Sequence, residues 1–216
     1  MSTYHIVKQG EYLCSIAKQY GFSDYRIIWN DSKNSELKNK RQNPSVLHPG
    51  DSLFIRDKEQ RQEARPTDKR HKFIAKRSPL KLRLVVEDQY KQPIANAACA
   101  LTIESDFQHL TTDGEGKLEQ NIPSDAAKGM LIMQDSQTFI ESIQIPINIG
   151  HLDPVEEVSG QRGRLSNLGY LAGDPAEESN VNFQSAVEEF QCENQLTVDG
   201  ICGPSTQAKL KQVHGC

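Results

Sequence analysis

Hydrophobic periodicity switches along this chain, and each switch marks a change of secondary structure that one continuous core does not absorb. Near the start, Tyr4, His5, Ile6 and Val7 alternate before Gly10; Leu13, Ile16, Ala17 and Tyr20 then follow at i, i+3, i+4, i+7 up to Gly21. That spacing predicts a strand and a short amphipathic helix. Asp24 is placed to cap a second helix through Ile27, Ile28 and Trp29. The polar stretch 31–45 reads as a connection, and Pro49-Gly50-Asp51 turns into the strand Ser52-Leu53-Phe54-Ile55. Beyond Pro79 the period is two: Leu82, Leu84 and Val86 alternate with Lys81, Arg83 and Glu87, and Ile143, Ile145, Ile147 and Ile149 alternate as cleanly. Turns at 88–93 and 113–116, with apolar runs at 99–103 and 130–133, complete the pattern of a small antiparallel β-sandwich. From 152 the period becomes helical in three blocks: Val158, Leu165 and Leu168; Phe183, Ala186, Val187 and Phe190; Pro204 through Ala208, Leu210 and Val213. The expected fold class is α+β and multidomain, with domains at 1–56, 79–150 and 151–216 and a basic linker at 57–78.

Charge follows the same divisions. Residues 1–55 hold 7 basic and 5 acidic side chains, 56–83 hold 11 and 4, 84–150 hold 3 and 10, and 151–216 hold 4 and 10. The net charge of -4 therefore conceals a strongly basic segment between acidic neighbours. Its run Arg65, Lys69, Arg70, Lys72, Lys76, Arg77 is interleaved with Asp57, Glu59, Glu63 and Asp68 and is short of aromatics on which bases would stack. It reads as a solvated linker, and no nucleic-acid partner is expected. No window approaches the roughly 18 uncharged apolar residues of a spanning helix, so no membrane insertion is expected. The opening Met1-Ser2-Thr3-Tyr4 leads into no apolar h-region, which predicts a soluble protein made in the cytoplasm without a signal peptide. Export to the periplasm or to a target cell would then follow a non-classical route. Cys14, Cys99, Cys192, Cys202 and Cys216 are odd in number and irregular in spacing, with no Cys-x-x-Cys pair. That is neither a zinc signature nor a disulfide framework; reduced thiols are expected, with one bridge among the last three as the alternative.

Three sets of residues carry family resemblances. Tyr4-x-Ile6-Val7-x-x-Gly10-Glu11-x-Leu13-x-Ser15-Ile16-Ala17-x-x-Tyr20-Gly21, then Ile28-x-Asn30, then Leu47-x-Pro49-Gly50-Asp51-x-Leu53-x-Ile55, resembles a LysM module. The resemblance implies a βααβ fold that binds N-acetylglucosamine-containing glycans, chiefly peptidoglycan or chitin, in a shallow groove between two loops. The implied contacts are Gly10, Glu11, Tyr12 and Leu13 on one wall, Leu47, His48, Pro49 and Gly50 on the other, and Asn30. Glu11-Tyr12 stands where the family usually has Asp-Thr, and the connection from 30 to 47 is longer than common. In the middle, Leu84-Val85-Val86-Glu87-Asp88, Pro93-Ile94-x-x-Ala97 and Thr112-Asp113-x-x-Gly116 resemble carboxypeptidase-regulatory or immunoglobulin-like spacers.

Toward the C-terminus, Arg164-Leu165-x-x-Leu168-Gly169-Tyr170, Phe183-x-x-Ala186-Val187-x-x-Phe190-Gln191 and Leu196-x-Val198-Asp199-Gly200-x-x-Gly203-Pro204 resemble the three-helix peptidoglycan-binding domain of type 1. Asp199, Gly200 and Gly203 are its candidate ligand residues, although a satisfied turn is the simpler reading of Asp199 and Gly200. The family's earlier Asp-Gly-x-x-Gly turn is replaced here by 173–179.

Chemistry beyond binding finds little footing. His5, His48, His71, His109, His151 and His214 are scattered and form no metal or catalytic spacing; no Gly-x-Ser-x-Gly or His-Glu-x-x-His occurs. No catalytic residue, metal or cofactor is expected. Trp29 reads as core, whereas Tyr12, in the first groove loop, reads as a flat face for a ligand. The expected function is non-catalytic binding of peptidoglycan or a related glycan, with two weak sites raising avidity. The arrangement of modules is similar to accessory proteins of bacterial contractile injection machines such as type VI secretion, which implies a secretion spike or effector as a further partner. The alternative is a protein–protein adaptor that docks a spike or toxin through these folds without touching glycan.

Overall fold

The computed structural model describes residues 2–58, 64–72, 80–88, 90–133, 142–173 and 181–216. The readings that fall on Lys76, Arg77 and 174–179 lie outside these residues. The chain divides into two compact units, one of 1–3, 13–31 and 54–149 and one of 4–12, 32–53 and 150–216. No helix among the described residues is long and apolar enough to cross a membrane.

The first 55 residues contain β1 (Thr3–Ile6), α1 (Leu13–Gln19), α2 (Arg26–Trp29), a 3-10 turn at Ser32–Asn34, α3 (Ser35–Arg41) and β2 (Ser52–Ile55). β1 and β2 form a two-stranded sheet. The periodic positions Leu13, Ile16 and Ala17 are the buried ones of α1, and Trp29 is buried in α2 as its apolar spacing required. The N-cap of α2 is Tyr25 rather than the expected Asp24; Asp24, one residue earlier, accepts the Arg26 N–H through its Oδ1 at 3.0 Å. The expected βααβ order is corrected by α3, which lies in the stretch read as a connection. Its only large aliphatic side chain is Leu37, so no apolar stripe announces it.

Eight strands in all are described. β3 (Leu80–Val85) pairs with β6 (Lys117–Ile122), and a second sheet runs β5 (Asp106–Thr111), β4 (Ala98–Ile103), β7 (Lys128–Met133), β8 (Ile143–Asn148). Every pairing in these two sheets is antiparallel. Both sheets contribute to one apolar core, in which Leu118 and Ile122 of β6 meet Cys99, Leu101, Ile103, Leu131 and Met133. The turns form as read: Asp88 Oδ1 accepts the Tyr90 and Gln92 N–H groups, and Asp113 Oδ1 those of Glu115 and Lys117.

The C-terminal helices α4 (Val158–Asn167), α5 (Val181–Glu193) and α6 (Pro204–His214) surround Val155, Leu165, Tyr170, Ala186, Val187, Phe190 and Leu210. α4 also buries Arg162 and Arg164. Arg164 donates to the carbonyls of Asp153, Gly160 and Cys216 at 2.7–2.8 Å, and Arg162 Nη1 donates to the Ala172 carbonyl at 3.0 Å. Guanidinium groups thus satisfy main-chain acceptors that helix and loop ends leave open.

All five cysteines are free. Full reduction with dithiothreitol is expected to leave the Tm within about a degree of the untreated protein, because no cross-link constrains the unfolded chain. A drop of several degrees would reveal a bridge.

Candidate functional site

The C-terminal loop 196–203 is built around one side chain. Gln191, 1% exposed on the last turns of α5, accepts the N–H groups of Asp199 and Gly200 through Oε1, both at 3.0 Å. Its Nε2 donates to Asp199 Oδ1 at 2.8 Å and to the Ile201 carbonyl and Thr206 Oγ1 at 3.0 Å. Asp199 Oδ1 also accepts the Ile201 N–H at 2.9 Å. That bond, with the Gln191 amide, holds the Asp199 carboxyl below the usual carboxylate range. Gly200 sits at φ +69, a conformation that glycine adopts without the strain a side chain would bring. Gly203 is the N-cap of α6, ahead of Pro204.

The candidate residues Asp199, Gly200 and Gly203 therefore shape the loop. Among the side chains that it presents, beside the exposed Thr197 and Asp199, are Val198, 53% exposed, and Ile201, 66% exposed. Ile201 was not named from the sequence, and Val198 and Gln191 entered only as positions of the resemblance, not as candidate site residues. Two apolar residues inside a polar turn, and a glutamine following the last core aromatic of α5, were the signals available.

At the N-terminus, the loops 7–12 and 46–51 are joined by main-chain bonds: Val7 N–H to the Asp51 carbonyl and Gly50 N–H to the Val7 carbonyl, both at 2.9 Å. Asp51 fixes the second loop. Its Oδ2 accepts the His48 N–H at 2.9 Å, and its carboxylate receives a two-pronged bond from Arg41, at 2.7 and 2.8 Å. Glu11 Oε2 accepts the Lys8 N–H at 2.9 Å and lies 2.7 Å from His5 Nε2, so this carboxylate ties its own turn.

The structure corrects the side-chain role expected for Tyr12. Tyr12 is 2% exposed and offers no flat face to solvent; Leu13 and Leu47 are buried as well. For Tyr12 the gain from burying an aromatic ring outweighs the loop context from which its exposure was inferred. Gly10, Glu11, His48 and Pro49 are half-buried and Gly50 is exposed. Asn30 is exposed at the C-cap of α2, and with Leu13 it belongs to the first compact unit, the remaining seven candidates to the second.

Comparison with known proteins assigns the C-terminal part. Residues 156–210 match the family described as "Putative peptidoglycan binding domain". The match runs from the turn before α4 into α6 and includes the whole Gln191-centred loop. No curated protein and no solved structure matches the chain. The match covers about a quarter of the chain, and it points to peptidoglycan as a partner.

Proposed function

We propose that this protein binds peptidoglycan without cleaving it, and that the loop 196–203 is its main contact. The observation that carries this reading is the family match over 156–210, joined to a loop tied together by Gln191 and Asp199 while Val198 and Ile201 stay exposed. An apolar ledge on a rigid turn suits the less polar face of an N-acetylated sugar ring, and main-chain groups beside it suit acetamido and hydroxyl partners. The N-terminal residues, taken as a LysM-like domain over 1–56, would supply a second weak site for the same polymer. Accessory service in a contractile injection system, with synthesis in the cytoplasm and non-classical export, is the setting that the arrangement of modules suggests.

Co-sedimentation with purified sacculi tests the reading. Wild type should be retained, and Ile201→Asp or Val198→Asp should weaken retention about tenfold, roughly 1.4 kcal/mol, with an unchanged circular dichroism spectrum. Gln191→Leu should do the same and also cost about 2 kcal/mol of stability, since two part-buried N–H groups lose their acceptor. Sacculus turbidity should stay constant throughout. Equal retention of all variants would move the site elsewhere, and falling turbidity would make the protein a hydrolase.

A further inference from the structure

We propose that the N-terminal loops 7–12 and 46–51 are a docking surface for the chain's own segment 150–157, and that this segment and a saccharide exclude one another there. The second half of the statement rests on the reading of these loops as a glycan site; the first does not.

Two glycines interlock the partners. At Gly10 the His151 imidazole lies so close that a β-carbon would stand 2.9 Å from its Cε1 and Nε2. At Gly150, in the left-handed region at φ +81, a β-carbon would stand 2.4 Å from Tyr12 Cδ1 and 2.6 Å from the Gly10 carbonyl oxygen. Each segment therefore leaves out a side chain where the other places a ring. Such reciprocal close approach is what glycine permits and a larger residue forbids.

Charge extends the fit along the second loop. His48 Nε2 lies 3.9 Å from Glu157 Oε1, and the Arg41 guanidinium, bonded first to Asp51, also feels the carboxylates of Glu156 and Glu157. Glu156 also receives Lys211 Nζ of α6 at 3.3 Å, which ties the segment to the C-terminal helices. Val155, one residue before it, is in their core. The loops are thus covered by a stretch anchored in the peptidoglycan-binding domain. A saccharide that needs Gly10, Glu11 and the 47–50 loop meets this stretch first, and its apparent affinity falls by the fraction of molecules in which the loops are uncovered.

Hydrogen exchange and sacculus retention, measured on the full chain, separate the two halves of the proposal. Gly150→Val forces a side chain into Tyr12, and His151→Ala removes the ring over Gly10 without backbone strain. In both, amide exchange across 8–12 and 47–51 should rise at least about fivefold while 186–191 in α5 keeps its protection. No rise in either variant overturns the docking. Should Gly150→Val also deprotect 186–191, His151→Ala alone decides. In an Ile201→Asp background, where the C-terminal ledge is impaired, the Gly150→Val change should raise retention on sacculi at least about threefold. Raised exchange without raised retention overturns the exclusion of saccharide. If wild type itself is never retained, the proposed function fails, yet the exchange result still stands or falls by itself.

Discussion

Replacing Tyr12 with alanine is expected to cost about 3–5 kcal/mol of stability, the range for deleting a fully buried aromatic ring. A residue in an open sugar-binding loop would behave otherwise: ligand retention would drop and the fold would be indifferent. The 2% exposure of Tyr12 and its packing against Gly150 set the expectation. Tyr12→Phe keeps the ring and should stay within about 1.5 kcal/mol of wild type, the scale of one hydroxyl hydrogen bond. Urea unfolding followed by far-ultraviolet circular dichroism reads both. A Tyr12→Ala protein as stable as wild type would mean that the ring lies at the surface in solution. Because the ring faces segment 150–157, Tyr12→Ala should also loosen that segment, which makes it a poor probe of sugar contact. The exposed Ile201 and Val198 are better ones.

What was legible in the sequence is what hydrophobic period encodes. The face of α1, the inward residues of β3, β4 and β7, and the core of α5 were all visible as apolar side chains at 3.6 or 2.0 spacing. β5 and β6 were not. In β5 the aromatic Phe107 is exposed, packed edge-on to His109 at 4.8 Å, while Gln108 takes a half-buried position. In β6 the inward series is Leu118, Gln120, Ile122, so a glutamine interrupts the alternation that would have marked the strand.

The polar interior was still less readable. Arg162, Arg164 and Gln191 are each 1% exposed, and all three sit inside because main-chain groups of distant segments need partners. Arg164 reaches from α4 to the carbonyl of Cys216, a pairing that no local pattern contains. Sequence period reports which side chains leave water. It does not report which buried carbonyls and amides must be bonded once they have. The candidate site suffered in the same way: the Val-Asp-Gly-x-x-Gly-Pro run located the loop, but its organiser, Gln191, lies outside that run.

The largest hidden feature is the Arg41–Asp51 pair, and breaking it from one side should destabilise the protein by about 3–5 kcal/mol. The two side chains are 7% and 5% exposed, so Arg41→Met leaves a buried carboxylate with only the His48 N–H and the more distant Lys40 ammonium, 3.8 Å away, to face. Asp51→Leu strands the guanidinium instead. Arg41→Met combined with Asp51→Leu should recover part of the loss, since neither charge is then left unpaired, although the 48–51 turn still lacks its acceptor. The pH dependence distinguishes this from a packing defect. Burial raises the Asp51 carboxyl, but the Arg41 hydrogen bonds, the His48 N–H and the nearby positive charges lower it further, so that it lies below the ordinary range. Such a group contributes stability that is complete above its unfolded value near about 3.9 and is lost as pH falls through the folded value. In Arg41→Met the main lowering influence is gone, burial dominates, and protonation relieves the unpaired charge. The gap between wild type and Arg41→Met should therefore be widest at neutral pH and close as the pH drops below about 4. A gap that stays constant through that window would show that Arg41 acts by its bulk rather than its charge.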